Sequence, residues 1–278
     1  MTVAALYLVG TPIGNLQDMT LRAIQTLKDV DLIAAEDTRH TGKLLQHFQI
    51  ETPLISYHHH NRQERLGELL SRLQGGTAIA LVTDAGMPGI SDPGYELVEA
   101  CAAAGVTVIP IPGVSACVTA VSVAGIEGDR FCFEGFLPVK GKERQQRLEQ
   151  LQTEPRLLVF YEAPHRLKQT LEDLQTVLGG DRRVTLGREL TKRFEEIWRG
   201  TLQGAIAYYQ DHNPKGEYTL VIGGDSSPSR QLSEAALKSE LQALMNQGHS
   251  RSQASRLLAQ STPISRRDLY QLALTLTD

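Results

Sequence analysis

The 278-residue chain predicts an α/β fold: two tandem α/β domains with helices flanking largely parallel sheets, followed by a small helical module. Three observations predict it. Short apolar runs of strand character alternate with amphipathic helical stretches, the βαβα grammar of a parallel sheet covered on both faces. Several of those runs end in loops rich in Gly, Pro and Asp. Finally, the length exceeds one comfortable core at roughly 150 residues per domain. The boundaries read as 1–118, 119–225 and 226–278.

The strongest strand-to-loop signal is Ala78–Gly94 (AIALVTDAGMPGISDPG). The run Ala78–Val82 reads as a buried strand, and Asp84–Gly94 packs Gly86, Gly89 and Gly94, Pro88 and Pro93, and Asp84 and Asp92 into eleven residues. Ordinary βα turns run roughly 2–6 residues and need fewer special residues. Gly lets backbone approach a ligand closely, and Pro holds a loop in shape. Ligands of open parallel sheets bind beyond the carboxyl ends of the strands.

Taken in order, Leu6–Val9 is the first strand and Gly10–Leu16 (GTPIGNL) its loop. Thr20 caps a helix over Leu21–Lys28, whose Leu21, Ile24 and Leu27 recur at helical spacing. The strand Asp31–Ala35 ends in Glu36-Asp37-Thr38-Arg39-His40, with a helix over Gly42–Phe48. Leu54–Ser56 is a strand, Tyr57–Gln63 a polar stretch and Glu64–Leu73 a helix. Beyond the central loop come helix Tyr95–Ala104, strand Val106–Ile109, the loop Pro110–Ser115, and helix Ala116–Ala124 closing the first domain. The second domain holds strand Phe131–Phe136, a flexible basic stretch Val139–Arg147, strand Arg156–Tyr161 and helix Leu167–Leu178. Strand Val184–Gly187, the stretch Arg188–Arg199, helix Leu202–Gln210 and strand Tyr218–Gly223 complete it. Gly224–Arg230 (GDSSPSR) is a linker by composition. Three short helical patterns follow. The last two, Ser250–Gln260 and Ser265–Leu274, flank the turn Ser261–Ile264 and suggest a helix-turn-helix-like or packing module.

Hydrophobic content of 41% and charged content of 22% describe a soluble globular protein. The start lacks the basic region of a signal peptide, and no apolar run approaches the ~20 residues of a membrane span. Three scattered cysteines, Cys101, Cys117 and Cys132, fit a reducing cytoplasm and no disulfide framework or zinc cluster. The net charge of −4 is uneven: residues 226–278 hold six Lys/Arg against four Asp/Glu. Contact with nucleic acid therefore has to come from local basic patches.

The first loop is G-x-x-x-G and carries Pro where a pyrophosphate-binding loop needs free N–H groups, which disfavours a dinucleotide site, although Glu36 lies near the spacing of a ribose-binding acid. No Walker-type G-K-[ST] is present. His58-His59-His60 lacks a carboxylate or Cys at ligand spacing, so a solvated loop or a substrate contact is expected in place of a metal.

The segments Gly10–Leu16, Asp31–His40, His58-x-His60-Asn61, Val82–Gly94 and Arg188–Lys192 (RELTK), in this order, resemble the tetrapyrrole-methylase superfamily of S-adenosylmethionine-dependent enzymes. Within it they are most similar to the bacterial ribosomal RNA small-subunit methyltransferase I family, which 2′-O-methylates a decoding-centre cytidine of 16S rRNA. The resemblance covers most of residues 6–225, and the terminal helical module has a family counterpart. Met87 departs from it, standing where the family usually has Thr; a thioether donates no hydrogen bond. The resemblance implies a cytoplasmic homodimer that binds S-adenosyl-L-methionine between the two α/β domains. It implies donor contacts from Gly10, Thr11 and Pro12, from Met87, Gly89, Ile90 and Ser91, and from Gly113, Val114 and Ser115. Tyr161, Glu189, Tyr218 and Thr219 would cover the adenine.

For the transfer, candidate bases are Asp37, Glu36, His58 and His60, with Asn15 and Arg39 orienting substrate; the sequence does not choose among them. The alternative for Glu36–Arg39 is an internally paired loop with a helix cap. Lys140, Lys142, Arg144, Arg147, His165, Arg166, Arg266 and Arg267 are expected at RNA phosphates, beside Arg251 and Arg256. Two other functions stay open: methylation of a small tetrapyrrole-like acceptor, which needs neither the basic stretch nor the tail, and a non-catalytic nucleic-acid-binding regulator, which leaves the strand-end loops unexplained.

Overall fold

A computed structural model describes residues 3–225, 234–262 and 264–276. It separates into two compact units, Met1–Gly223 and Gly224–Asp278. The larger unit carries two five-stranded sheets. In the first, β1 (Leu6–Val9), β2 (Leu32–Ala35), β3 (Leu54–Ser56), β4 (Ile79–Val82) and β5 (Val108–Ile111) run in the order β3-β2-β4-β1-β5. Every pairing in it is parallel. All four residues of β2 and of β4 are buried, as expected for strands covered on both faces. One face packs a cluster around Leu27, Ile33 and Leu45, the other a cluster around Leu6, Leu69 and Leu97.

Helices α1 (Leu21–Asp29), α2 (Thr38–His47), α3 (Arg62–Gln74) and α4 (Tyr95–Ala103) cover this sheet. Thr20 caps α1, accepting from the Ala23 N–H at 3.1 Å. Helix α2 starts four residues before the expected Gly42, because Asp37 caps it and accepts from the Arg39 N–H at 2.8 Å. Strand β5 lies two residues later than expected and contains Pro110, tolerated because β5 is an edge strand.

Helix α5 (Ala116–Val123) does not close the first sheet. Its Cys117 and Ala120 pack with Leu157, Val159 and Val221 of the second sheet. The chain therefore crosses between sheets at residues 112–115.

The second sheet contains β6 (Phe131–Phe136), β7 (Leu157–Glu162), β8 (Arg183–Arg188), β9 (Glu196–Thr201) and β10 (Tyr218–Ile222), in the order β6-β7-β10-β8-β9. Here the parallel expectation gives way: β6–β7 is parallel, and the other three pairings are antiparallel. Strand β9 falls inside the stretch with no expected element. It is a half-exposed edge strand, so no buried face imposes an apolar alternation on EIWRGT. The basic stretch after β6 is not flexible; it forms α6 (Gly141–Leu151), anchored by Leu148 and Leu151. Helices α6, α7 (Pro164–Leu178) and α8 (Leu202–Asp211) cover the face opposite α5.

The smaller unit is a three-helix cluster: α9 (Glu234–Asn246), α10 (Arg251–Ser261) and α11 (Arg266–Leu274) around Leu237, Leu241, Leu258 and Leu269. Ser250 and Gln253 form a capping box on α10. Ser265 caps α11. Residues 226–230 of the expected linker and Pro263 of the expected turn lie outside the described residues.

Candidate active site

The loops that follow β1, β2, β4 and β5 meet beyond the carboxyl edge of the first sheet. Thr11 and Gly86 exchange backbone hydrogen bonds of 2.9 and 3.1 Å, and the buried Thr11 hydroxyl donates to the Thr83 carbonyl at 3.0 Å. A methyl group on Gly113 would stand 2.9 Å from the Gly10 Cα, and one on Gly10 would stand 2.7 Å from the Met87 Sδ. Only glycine at both positions lets these backbones touch.

The first loop also reaches the second sheet. Ile13 packs with Leu190, and a side chain on Gly14 would collide with Lys192. Lys192 in turn binds Glu189 at 2.8 Å and Glu217 at 2.7 Å.

Between the two sheets lies a cleft of about 500 Å³. That volume falls within the range of small-molecule sites. The first-sheet wall is Met87, Ile90, Ser91 and Asp92; Ser115 leads into Tyr161, Glu189, Tyr218 and Thr219 on the other side. The Tyr161 hydroxyl accepts from the Cys117 N–H at 3.2 Å, and its ring meets Phe133 edge-on at 4.8 Å. Burial raises the Tyr161 phenol above its ordinary value. Among the described residues four non-glycines have positive φ, and three of them belong to this region: Ser91 (+64°), Glu189 (+49°) and Thr191 (+67°). Backbone strain of this kind gathers at ligand sites.

Carboxylates stand behind the first wall. The Thr83 hydroxyl donates to Glu36 at 2.7 Å, and the Asp37 N–H to Asp84 at 3.1 Å. Burial pushes the Asp92 carboxyl up to about 6; the nearby Thr83 hydroxyl opposes this, and the charges of Glu36 and Asp84 add to it. Burial likewise raises Asp84.

Sequence comparison converges on the same architecture. The profile of the Tetrapyrrole (Corrin/Porphyrin) Methylases matches residues 5–206. The chain belongs to the tetrapyrrole methylase family. It is 61% identical, over 98% of both chains, to the "Ribosomal RNA small subunit methyltransferase I" of Synechocystis. It is 47% identical to the protein of that name from Escherichia coli O157:H7, covering 97% of this chain and 94% of that one. Solved structures share the fold at low identity. Uroporphyrin-III-C-methyltransferase from Thermus thermophilus superposes with a TM-score of 0.57 at 20% identity, covering 78% of this chain and 93% of that one. Diphthine synthase gives 0.62 at 13%, covering 79% and 89%. Membership brings with it the methyl donor of these methylases, S-adenosyl-L-methionine.

Of the residues expected at the donor, Met87, Ile90, Ser91, Ser115, Tyr161, Glu189, Tyr218 and Thr219 line the cleft. Gly10, Thr11, Pro12, Gly89, Gly113 and Val114 do not line it; they build the loops behind its first wall. The Met87 thioether covers Gly10. Burial would raise the Glu189 carboxyl, but hydrogen bonds from Lys192 and the Glu217 N–H bring it below its ordinary value.

The expected bases lie elsewhere. Asp37 and Arg39 form a bidentate pair, Nε to Oδ1 at 3.1 Å and Nη2 to Oδ2 at 2.8 Å. The Arg39 hydrogen bond holds Asp37 well below the usual carboxylate range, which opposes a role as base. Asn15 caps a short 3-10 turn, accepting from Gln17 N–H at 3.1 Å. His58 is half-buried and His60 exposed, in a loop tied down by Asn61, which bonds the His58 N–H at 2.8 Å and the Ser56 hydroxyl at 3.0 Å.

Of the expected RNA contacts, two are corrected. Arg144 is buried, bound to Asp173 at 2.8 Å, the Pro138 carbonyl at 2.9 Å and Thr170 at 3.0 Å, so its guanidinium is committed to the protein. Arg166 pairs with buried Glu162 at 3.3 Å and donates to the Leu137 carbonyl. Lys140 and Lys142 are exposed, Arg147 is exposed and paired with Glu134 at 2.6 Å, and His165 is exposed at the cleft. Arg266 donates to Ser252 at 3.0 Å, and Arg267 is exposed on the same helix.

Sequence reasoning placed Asp92 in the central loop without giving it a role. Its distinguishing property is its three-dimensional setting beside Thr83 and Glu36, which no local spacing announces.

Proposed function

We propose that this protein transfers a methyl group from S-adenosyl-L-methionine to the ribose 2′-hydroxyl of a decoding-centre cytidine in 16S ribosomal RNA, acting as a cytoplasmic homodimer. The observation that carries this reading is the near full-length identity with small-subunit ribosomal RNA methyltransferases, joined to a cleft of small-molecule size.

The cleft residues suit a sulfonium donor. Gly86 lines the cleft, and the Gly10 and Gly113 loops packed behind it bring backbone close to the donor, where carbonyl oxygens would stabilise positive charge without a metal. Tyr161 and Tyr218 supply apolar walls for a purine. When bound, the donor supplies an electrophilic methyl group; the protein's own task is to align the 2′-oxygen behind it and remove a proton from a poor acid. Arg39, exposed in the first turn of α2, would meet a phosphate while holding Asp37. Exposed Lys140 and Lys142 and the Arg-bearing helices α10 and α11 supply further basic groups for an RNA backbone. A small tetrapyrrole acceptor would need none of these.

Small ribosomal subunits and naked 16S rRNA, each incubated with labelled donor and digested to nucleosides, test the reading. The expected product is 2′-O-methylcytidine from one or both. Its absence from both would overturn the proposal.

A further inference from the structure

Strand β6 breaks its own register and so aims one ring at the cleft. It pairs with β7 as Phe133↔Val159 and then as Gly135↔Phe160, which leaves Glu134 as an extra residue. In β7, Leu157, Val159 and Tyr161 pack on the α5 side, and Leu158 and Phe160 on the opposite side. An unbroken strand would carry Phe136 to that opposite side, in step with Cys132. The bulge, with Gly135 at a φ of +61°, turns it to the Tyr161 side, where the two rings meet edge-on at 5.7 Å. Bulges beside active sites re-aim side chains in this way. The ring is not buried where it arrives. Phe136 is 52% exposed at the cleft, and Ile90, on the wall carried by the first sheet, is 49% exposed. The walls come close here, since a side chain on Gly135 would stand 3.1 Å from the Ser91 hydroxyl. The cleft thus has an apolar mouth over a buried floor that includes Glu162, Gly187 and Thr219.

We infer that Phe136 is the platform on which the base of the acceptor nucleotide stacks, with Ile90 bounding that base from the opposite wall. This deepens, and rests on, the reading of the acceptor as an RNA ribose.

An in-line transfer needs the attacking oxygen and the leaving sulfur on opposite sides of the methyl group. A donor held on the floor therefore receives its acceptor from the mouth. A base gripped there fixes its ribose through the glycosidic bond and limits where the 2′-oxygen can lie. Proteins hold splayed-out RNA bases on aromatic side chains, and such stacking accepts any base because every base has a π-face. Phe136 thus supplies grip and orientation, not base identity. Exposed Lys140 and Lys142 follow it by four and six residues, which suits the phosphates flanking a held nucleotide. The donor's own purine is the other planar candidate, and the half-exposed mouth offers it less burial than the floor does.

The test uses the full-length protein. Calorimetry gives donor affinity, labelled methyl transfer gives kcat/KM for ribosomal RNA, and sedimentation gives the association state. Phe136→Ala should lower kcat/KM by about 5–150-fold, the range for losing one stacked base, with donor affinity kept within about twofold. Phe136→Trp should hold kcat/KM within about threefold of wild type, whereas Phe136→Leu, apolar but without a π-face, should not. Ile90→Ala should lower it by a smaller factor than Phe136→Ala. As a readout free of turnover, 4-fluorophenylalanine replaces all six phenylalanines. The fluorine resonance missing from Phe136→Leu should move when a short cytidine-containing oligoribonucleotide is added to donor-bound protein. Full activity in Phe136→Leu would overturn the assignment. So would an equal loss of donor affinity, which would put the ring at the donor, or an altered association state, which would put it at a subunit interface. A moved resonance without methyl transfer would leave the stacking standing and overturn the methylation reading. Methyl transfer with an unmoved resonance would do the reverse.

Discussion

Asp92 illustrates the cost that a buried carboxyl imposes on its own fold. Its carboxyl holds a proton up to about pH 6 in the folded protein but releases it near 3.8 once solvated. The folded state therefore binds the extra proton, so this group's favourable contribution is complete below the lower value and is lost as pH rises through the upper one. Asp92→Asn should raise the melting temperature at pH 7.5 and leave it little changed at pH 4, a comparison that differential scanning calorimetry makes directly. Arg144 represents the opposite case. It belongs to a run of basic residues that suggested RNA, but three partners inside the protein hold it. Arg144→Ala should cost about 2–3 kcal/mol by denaturant unfolding, through the unpaired groups left behind, while shifting RNA affinity no more than that loss of fold explains.

At the scale of elements, the contact between the loops after β1 and β5 is the most demanding. Gly113→Ala would drive a methyl group into the Gly10 backbone. Such overpacking costs about 1–3 kcal/mol. The loops would have to part to relieve it, and donor affinity measured by calorimetry should fall at least about tenfold. Most elements were legible because burial on both sides writes apolar runs into β1, β2, β4 and β10. What escaped was governed by context: β9 is an edge strand, α6 hides its apolar contacts among charges, and α2 begins early through a side-chain cap at Asp37. The loops packed behind the cleft were legible for the same reason as the fold, since close backbone approach demands glycine. The setting of the carboxylates was not. Asp37 in sequence looks much like Asp92, and what separates them is the bidentate grip of Arg39 on the one and the burial of the other.

At the scale of the whole molecule, the helical unit Gly224–Asp278 has its own core, and the larger unit holds the cleft. A chain ending at Gly223 should keep its cooperative melt and bind donor within about twofold of the full-length protein. Its affinity for ribosomal RNA, measured by filter binding, should fall at least about tenfold and lose part of its salt dependence.

The crossing at residues 112–115 has a consequence for binding. The polypeptide passes from one sheet to the other a single time, and it does so through Gly113, Val114 and Ser115, the last of which borders the cleft. Ser115 thus serves both the crossing and the cleft, so a molecule lodged there rests directly against the one covalent link between the sheets.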